Sequence, residues 1–328
     1  SSTIPIPLRG TGHVTRYLFE DGDGIPIVDE GLPGVDAFAA LRGRLRSAGF
    51  SIKRVHTVIV THSHPDHFGG AGRVRHESGA RIVTHRRFRM MWNPADAPDV
   101  DVEDMPDLAD RIAGRFPWDP TPWGGPGYPV PLRQRVRLRS VRRFPRLAHA
   151  PTPTHRLDDA DTIRLARRDW IAIHTPGHTD DHLCLFDPTE GVMISGDHVL
   201  PTITPHIGGL GVDPDPLQTF MDSLDKVARY GDDVSVALPA HGQPFSHLAA
   251  RAATIKRHHV DRLDTIRKAA ADVGSPATVR EFAERLFSQR AQGVMADSET
   301  FAHLEHLRRA GEMRRVAARA PYAYALTD

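Results

Sequence analysis

Residues 61–70 read Thr61-His62-Ser63-His64-Pro65-Asp66-His67-Phe68-Gly69-Gly70, a T-H-x-H-x-D-H-x-G-G run. Three imidazoles and one carboxylate fall between positions 62 and 67, and nothing else in the chain restricts the fold as much. Each of these groups costs free energy when buried unless it finds a partner. A pair of metal ions gives all four a partner at once. The apolar run Val55 to Thr61 is predicted to be a strand leading into this segment. A helix from Gly69 to Ser78, capped by Gly79, is predicted to leave it. The histidines therefore lie on a strand-to-helix connection, where layered α/β folds tend to place their sites.

Three later segments offer one more donor each, on a tight turn after an apolar strand: Thr175-Pro176-Gly177-His178, Ser195-Gly196-Asp197 and Pro239-Ala240-His241-Gly242. The strands expected ahead of them are Trp170 to Thr175, Val192 to Ser195 and Val234 to Leu238. Leu183 to Phe186 is expected to pair with the second. His62 and His64 are two apart on an extended segment, so both point to one side, and His67 can face a second ion. Sites rich in histidine favour zinc.

Residues 13 to 30 read as a hairpin, and residues 35 to 48 have helical spacing ended by Gly49. Residues 86 to 160 break the rhythm and form a candidate lid or pocket wall. From Ser246 the pattern turns helical, over 246 to 273, 277 to 287 and 298 to 310, with residues 311 to 316 as a short hairpin wing. These shifts divide the chain into a domain of residues 1–245 and a helical domain of residues 246–328. Net charge is +1, which singles out neither nucleic acid nor membrane as the default partner. No apolar run approaches the roughly 18 residues of a membrane span. Cys184 is the single cysteine. It excludes an internal disulfide and a cysteine-based zinc site, and it fits a reducing, cytoplasmic setting. It is expected to be buried and inert. Arg outnumbers Lys 38 to 4, as in the product of a GC-rich genome. Arg133, Arg135, Arg137 and Arg139 alternate with other residues, and Arg142, Arg143 and Arg146 follow. On a strand this puts four guanidiniums on one face. That face is either solvated or a cradle for an anionic substrate such as a coenzyme A diphosphate or RNA.

With these motifs in place, the chain resembles the metallo-β-lactamase-fold hydrolases over about residues 10 to 245. The resemblance implies an α/β fold, a four-layer αββα sandwich. It implies that one metal takes His62, His64 and His178, that a second takes Asp66, His67 and His241, and that Asp197 bridges them. It further implies two Zn²⁺ ions (manganese or iron being alternatives) with a hydroxide between them as nucleophile, and a proton-transfer role for Asp66. The implied activity is dinuclear metal-dependent hydrolysis of an ester or thioester, similar to glyoxalase II and acyl-thioester hydrolases. The alternatives are an endoribonuclease-like phosphodiesterase, a lactonase and a non-hydrolytic metal oxygenase. The expected partner is a small-molecule substrate, anionic if the arginine stretch lines the pocket, with nucleic acid as the second choice and a homodimer as a further expectation.

The helical tail resembles the winged-helix-like tail of a subgroup that includes a mitochondrial endoribonuclease of animals. The family often has Asp-Thr-Gly where this chain has Asp29-Glu30-Gly31; Asp29 matches the family's buried aspartate and Glu30 departs. Asp180-Asp181 is a second departure, with Asp181 and His182 placed to orient ligands. His198 and His206 flank the Asp197 turn and are candidate pocket residues. His56, His76, His85, His149 and His155 show no partner pattern.

Overall fold

The structure, a computed structural model, describes residues 2–5, 13–22, 24–89, 118–121, 123–143, 151–209, 211, 213–316 and 321–327. Six strands form a first sheet in spatial order: β1 (Ser2–Pro5), β2 (His13–Leu18), β3 (Ile25–Val28), β4 (Val55–Ile59), β5 (Arg81–His85) and β6 (His155–Leu157). The first three are antiparallel neighbours, and β3 to β6 run parallel. A second sheet, in the order β11-β10-β9-β8-β7, contains β7 (Thr162–Leu165), β8 (Arg168–His174), β9 (Leu183–Asp187), β10 (Val192–Gly196) and β11 (Val236–Pro239).

The period of two along each strand divides the apolar residues between layers. Val58 and Val60 join Ile27 and Ile82 in one cluster, while Ile59 joins Val28 and Val83 in another. In β9, Leu183 and Leu185 belong to that same inter-sheet cluster, whereas Cys184 and Phe186 belong to a third. Helices α1 (Val35–Ser47) and α3 (Ala71–Ser78) supply Phe38, Leu41, Leu45 and Val74 to the outer face of the first sheet, with the single-turn α2 (Pro65–Phe68) between them in sequence. Helix α4 (Leu132–Arg143) lies in the connection between β5 and β6. Helices α5 (Pro216–Ala228) and α6 (Leu248–Val273) cover the second sheet through Leu217, Phe220, Leu224 and Ile255. Three apolar clusters thus separate four layers, the αββα sandwich.

The tail adds α7 (Val279–Leu286) and α8 (Val294–Arg309), with β12 (Ala277–Thr278), β13 (Met313–Arg315) and β14 (Ala323–Leu326) as a small sheet in the order β12-β14-β13. The expected wing at 311 to 316 is therefore one strand of a three-stranded sheet, because β14 lies between β13 and β12 and pairs with both. Phe282, Phe301, Leu304, Met313 and Tyr324 join the cluster that holds Ile173 and Phe220. Apolar packing runs without a break across the position, near residue 245, where the sequence changes character. No described helix is long and apolar enough to cross a membrane.

The arginine stretch is a correction. Leu132–Arg143 is α-helical. Helical residues two apart point to nearly opposite sides, so arginines at alternate positions do not share one face. Arg135 and Arg139, four apart, stack over Trp118, at 5.4 and 5.6 Å from the ring centroid. Arg, Leu and Gln are strong helix formers, and that propensity overrules the alternation. Of the candidate lid, residues 90–117, 122 and 144–150 lie outside the described residues, as do His149 and Arg146. The described part packs on the tail: Trp123 lies 4.9 Å from Phe301, ring to ring, and Tyr128 reaches Met295.

Candidate metal centre

The site is assembled at the carboxyl ends of β4, β8, β10 and β11. Beyond β4 the chain turns at Thr61 and enters α2 with Pro65 at its first position, where a missing N–H costs nothing. This puts His62, His64, Asp66 and His67 on one short connection. Asp29, at the end of β3, organises it. One Asp29 oxygen accepts from the Thr61 backbone N–H at 2.9 Å, and the other accepts from the Thr61 hydroxyl and from His67 Nδ1, both at 2.8 Å. The Thr61 hydroxyl donates to Asp29, so its lone pair is left for the Nδ1–H of His62, 3.0 Å away. Both rings thereby carry their proton on Nδ1 and aim Nε2 inward, the usual arrangement behind a metal-binding imidazole.

His178 follows β8 through Gly177, whose φ is +127° and whose Cβ, if present, would lie 2.4 Å from that of Phe220. Its Nδ1–H donates to the His206 carbonyl at 2.7 Å, which again frees Nε2. Asp197 follows β10. Its backbone N–H donates to His182 Nε2 at 3.0 Å, and His182 Nδ1–H donates to Thr175 Oγ1 at 2.8 Å. His182 is a neutral, wholly buried brace for the Asp197 turn; burial and the neighbouring rings push its pKa well below the usual histidine value. His241 follows β11, whose end is pinned by the Tyr17 hydroxyl donating to the Pro239 carbonyl at 2.7 Å and by Thr15 N–H donating to the Ala240 carbonyl at 2.7 Å.

The seven residues expected from the sequence come together. Donor atoms of His62, His64, His178 and Asp197 form one group, and those of Asp66, His67 and His241 form a second, all within 4.8 Å of one another in each. His62 Nε2 and His64 Nδ1 are 3.0 Å apart, close to the about 3.3 Å between two nitrogens on one tetrahedral zinc. Asp197 Oδ2 joins the groups: it lies 3.5 Å from His241 Nε2, 3.6 Å from His67 Nε2 and from His178 Nε2, and 3.9 Å from His62 Nε2. Asp66 Oδ2 lies 3.6 Å from His67 Nε2 and 3.7 Å from His241 Nε2.

The donor set fits divalent cations. His67 Nε2, His178 Nε2 and Asp197 Oδ1 are buried and lack a hydrogen-bond partner. Such groups are tolerated where something else satisfies them. Burial, together with neighbouring imidazoles, drives His62 and His64 well below the usual histidine value, so their lone pairs stay available. At His67 burial acts in the same direction, but Asp197, Asp29 and Asp66 outweigh it and raise the pKa well above 6.5. His241 is raised against burial by Asp197. Burial would raise Asp197, yet His67 and the other rings hold it well below the carboxylate range. The carboxylates draw positive charge to this spot, and a divalent ion supplies it while releasing protons.

Asp181 is buried and accepts from Ser63 Oγ at 2.8 Å, so it braces the histidine loop from the β8 side. Glu30 is buried beside Arg16, and each acts on the other's charge. His198 sits in the packed interior. It is fully buried, edge-on to Phe220 at 5.1 Å, and desolvation lowers its pKa to about 3. His85 stacks on His174 at 3.8 Å. Cys184 is buried, with its thiol pushed up to about 12 by burial. The braces Thr61 and Thr175 stand inside the two motif runs quoted above, although nothing in the sequence gave them a bracing role.

The family model of the Metallo-beta-lactamase superfamily matches residues 9–241. The chain belongs to this superfamily. The probable metallo-hydrolase YqjP of Bacillus subtilis is 22% identical to this chain over 325 residues, 93% of this chain and 90% of that protein. An atrochrysone carboxyl ACP thioesterase of Emericella nidulans is 33% identical over 97 residues, so the match spans 30% of this chain and only 29% of that enzyme. Of the solved structures, a metallo-beta-lactamase family protein of Thermus thermophilus is 28% identical with a TM-score of 0.76, covering 99% of this chain and 97% of that one. A beta-lactamase domain protein of Burkholderia ambifaria is 25% identical with a TM-score of 0.72, covering 98% and 90%. That coverage takes in the helical tail, so the tail is part of the shared architecture. The protein is a hydrolase of the metallo-beta-lactamase superfamily.

Proposed function

We propose that this protein is a dinuclear metal-dependent hydrolase that opens an ester or thioester of a small molecule by attack of water. The observation that carries the reading is the position of Asp197, whose Oδ2 is within 3.5 to 3.9 Å of imidazole nitrogens from both donor groups. His62, His64 and His178 would hold one ion, Asp66, His67 and His241 the other, and Asp197 both. Two zinc ions bound there would acidify a water and polarise the acyl oxygen.

The chain's own residues do the rest. Asp29 and the His206 carbonyl fix the ring tautomers, and Thr61 and His182 fix the turns. Asp66 has more of its side chain exposed than Asp197, 19% against 10%. On this reading Asp66 would take up the proton released by the attacking water and pass it to the departing group. A departing alkoxide needs that proton far more than a thiolate does. The similarity to a thioesterase supports an acyl substrate, though over a short segment. The phosphodiesterase reading loses the single-faced arginine strand that motivated it.

The test is a panel of thioester, ester, lactone, β-lactam and RNA substrates on zinc-loaded protein, with His64→Ala and Asp66→Asn alongside. Turnover of thioesters or esters that His64→Ala abolishes is the expected result, with Asp66→Asn slowing esters more than thioesters. Cleavage of RNA alone, or acyl turnover that survives His64→Ala, would overturn the reading.

A further inference from the structure

Among the described residues, a tail side chain bonds to the loop that supports His178. The His206 carbonyl that accepts from His178 Nδ1 belongs to a loop clamped on α8. Ile207 is fully buried, and Gly209 N–H donates to Ser298 Oγ at 3.3 Å. Gly209 also comes so close to Phe301 that a Cβ would lie 2.3 Å from its ring. The His206 ring extends to Glu299, with Nδ1 3.3 Å from Oε2. Arg262, on α6, donates to the other Glu299 oxygen.

Glu299 is buried and ionised. Burial alone would raise its carboxyl, but the hydrogen bond and charge of His206 and the Arg262 guanidinium hold it at about 2. An ionised carboxylate buried this deeply persists only when it is paired and hydrogen-bonded. His303 Nδ1–H donates to the Glu299 backbone carbonyl at 2.7 Å, and His259 Nδ1 lies 3.2 Å from His303 Nε2, with His259 Nε2 buried and unpaired. The donor atoms of His259, Glu299 and His303 are close together. With both carboxylate oxygens taken by Arg262 and His206, the trio acts as support for Glu299 and not as a further metal site.

We propose that Glu299 is a positioning residue for the metal centre: through His206 it holds in place the carbonyl that sets the tautomer and direction of His178. This couples α6 and α8 of the tail to the ion expected at His62, His64, His178 and Asp197, and it rests on the metal-centre reading above. A purely structural Arg262–Glu299 pair between two helices would leave the donor groups indifferent to its loss.

The experiment compares wild type, Glu299→Gln, His206→Ala and the double variant. Stepwise zinc and cobalt affinities are measured by competition with a chromophoric chelator, and thermal unfolding of the metal-free proteins is followed in parallel. Each single variant is expected to weaken one of the two bound ions by about tenfold or more and leave the other nearly unchanged. The double variant is expected to be no weaker than Glu299→Gln, because both act along one path. His206→Ala keeps the carbonyl and removes a partly exposed ring, so it tests the idea even where Glu299→Gln folds poorly. Wild-type affinities in both single variants, or losses that add in the double, would overturn the proposal. A wild type that takes up no divalent ion would overturn the metal-centre reading itself, and the two failures are distinct.

Discussion

The residues of the His62–His67 connection and the three later residues His178, Asp197 and His241, which cut across the two donor groups, are held by different kinds of scaffold. His62, His64, Asp66 and His67 share one short connection, and their principal anchors, Asp29 and Thr61, lie just past the ends of β3 and β4 of the first sheet. His178, Asp197 and His241 arrive from three separate turns. Their braces come from distant parts of the chain: His206 and, behind it, Glu299 for the first, His182 for the second, and Tyr17 with Thr15 for the third. Donors clustered in sequence need little chain ordering to meet. Donors far apart need tertiary braces to arrive within a fraction of an ångström. The residues of the His62–His67 connection are therefore robust in register and sensitive to one carboxylate, whereas the three later residues are sensitive to packing well away from the site.

The sharpest way to break this contrast is Gly177→Ala. The new Cβ would meet Phe220 at 2.4 Å in a backbone conformation, φ +127°, that L side chains rarely adopt. His178 must then shift, and a displacement near 1 Å is expected to lower kcat/KM roughly 100-fold, with loss of one ion by metal analysis. Retention of both ions at wild-type activity would show that the distal turns are more forgiving than their packing suggests.

Asp29→Asn probes the other scaffold. The amide cannot accept from Thr61 N–H, the Thr61 hydroxyl and His67 Nδ1 all together, so a buried donor loses its acceptor. Metal affinity is expected to fall by about tenfold or more, with about 1–3 kcal/mol of stability lost. The ion lost first should be the one at His67, the opposite choice from Gly177→Ala. Zinc titration of the two variants side by side decides whether the donor groups fail separately.

The smallest effect on metal binding is expected at Asp181, which ties the β8 turn to the histidine loop through Ser63. Burial raises its carboxyl from 3.8 to about 6. A carboxyl with a folded pKa above its unfolded one stabilises the fold below the unfolded value and loses that contribution as pH rises through the folded value. Asp181 thus favours the folded state up to about pH 4 and loses that advantage by about pH 6, ending at a cost of at most about 3 kcal/mol. Asp181→Asn keeps the acceptor for Ser63 and removes the charge. In urea unfolding of metal-free protein, the variant should match wild type near pH 4 and exceed it near pH 7. A gap independent of pH would show that the buried charge does not bear on the link between the two scaffolds.

Legibility in the sequence followed the same division. The strand-turn-donor pattern was readable at each turn, because a period of two in Val58 to Val60 or Leu183 to Phe186 maps directly onto opposite faces of a sheet. Arg133 to Arg139 misled because the same period also occurs by chance on a helix of strong helix formers. His198 shows another limit: being next to Asp197 in sequence says nothing of ring direction, and its ring packs edge-on against Phe220. Glu299 lies 93 residues beyond His206 and had no local pattern to mark it.

The amino-acid order by itself singled out the seven imidazole and carboxylate residues that the structure gathers, and the strand ends that carry them, because side-chain chemistry and the pleat are properties of short segments. Only the tertiary structure decided which nitrogen of each ring faces the centre, that Asp197 stands between the two groups, and that the tail's Arg262 and Glu299 stand behind His206. Those outcomes depend on hydrogen bonds between residues far apart in the chain, and such contacts exist only once the layers have packed.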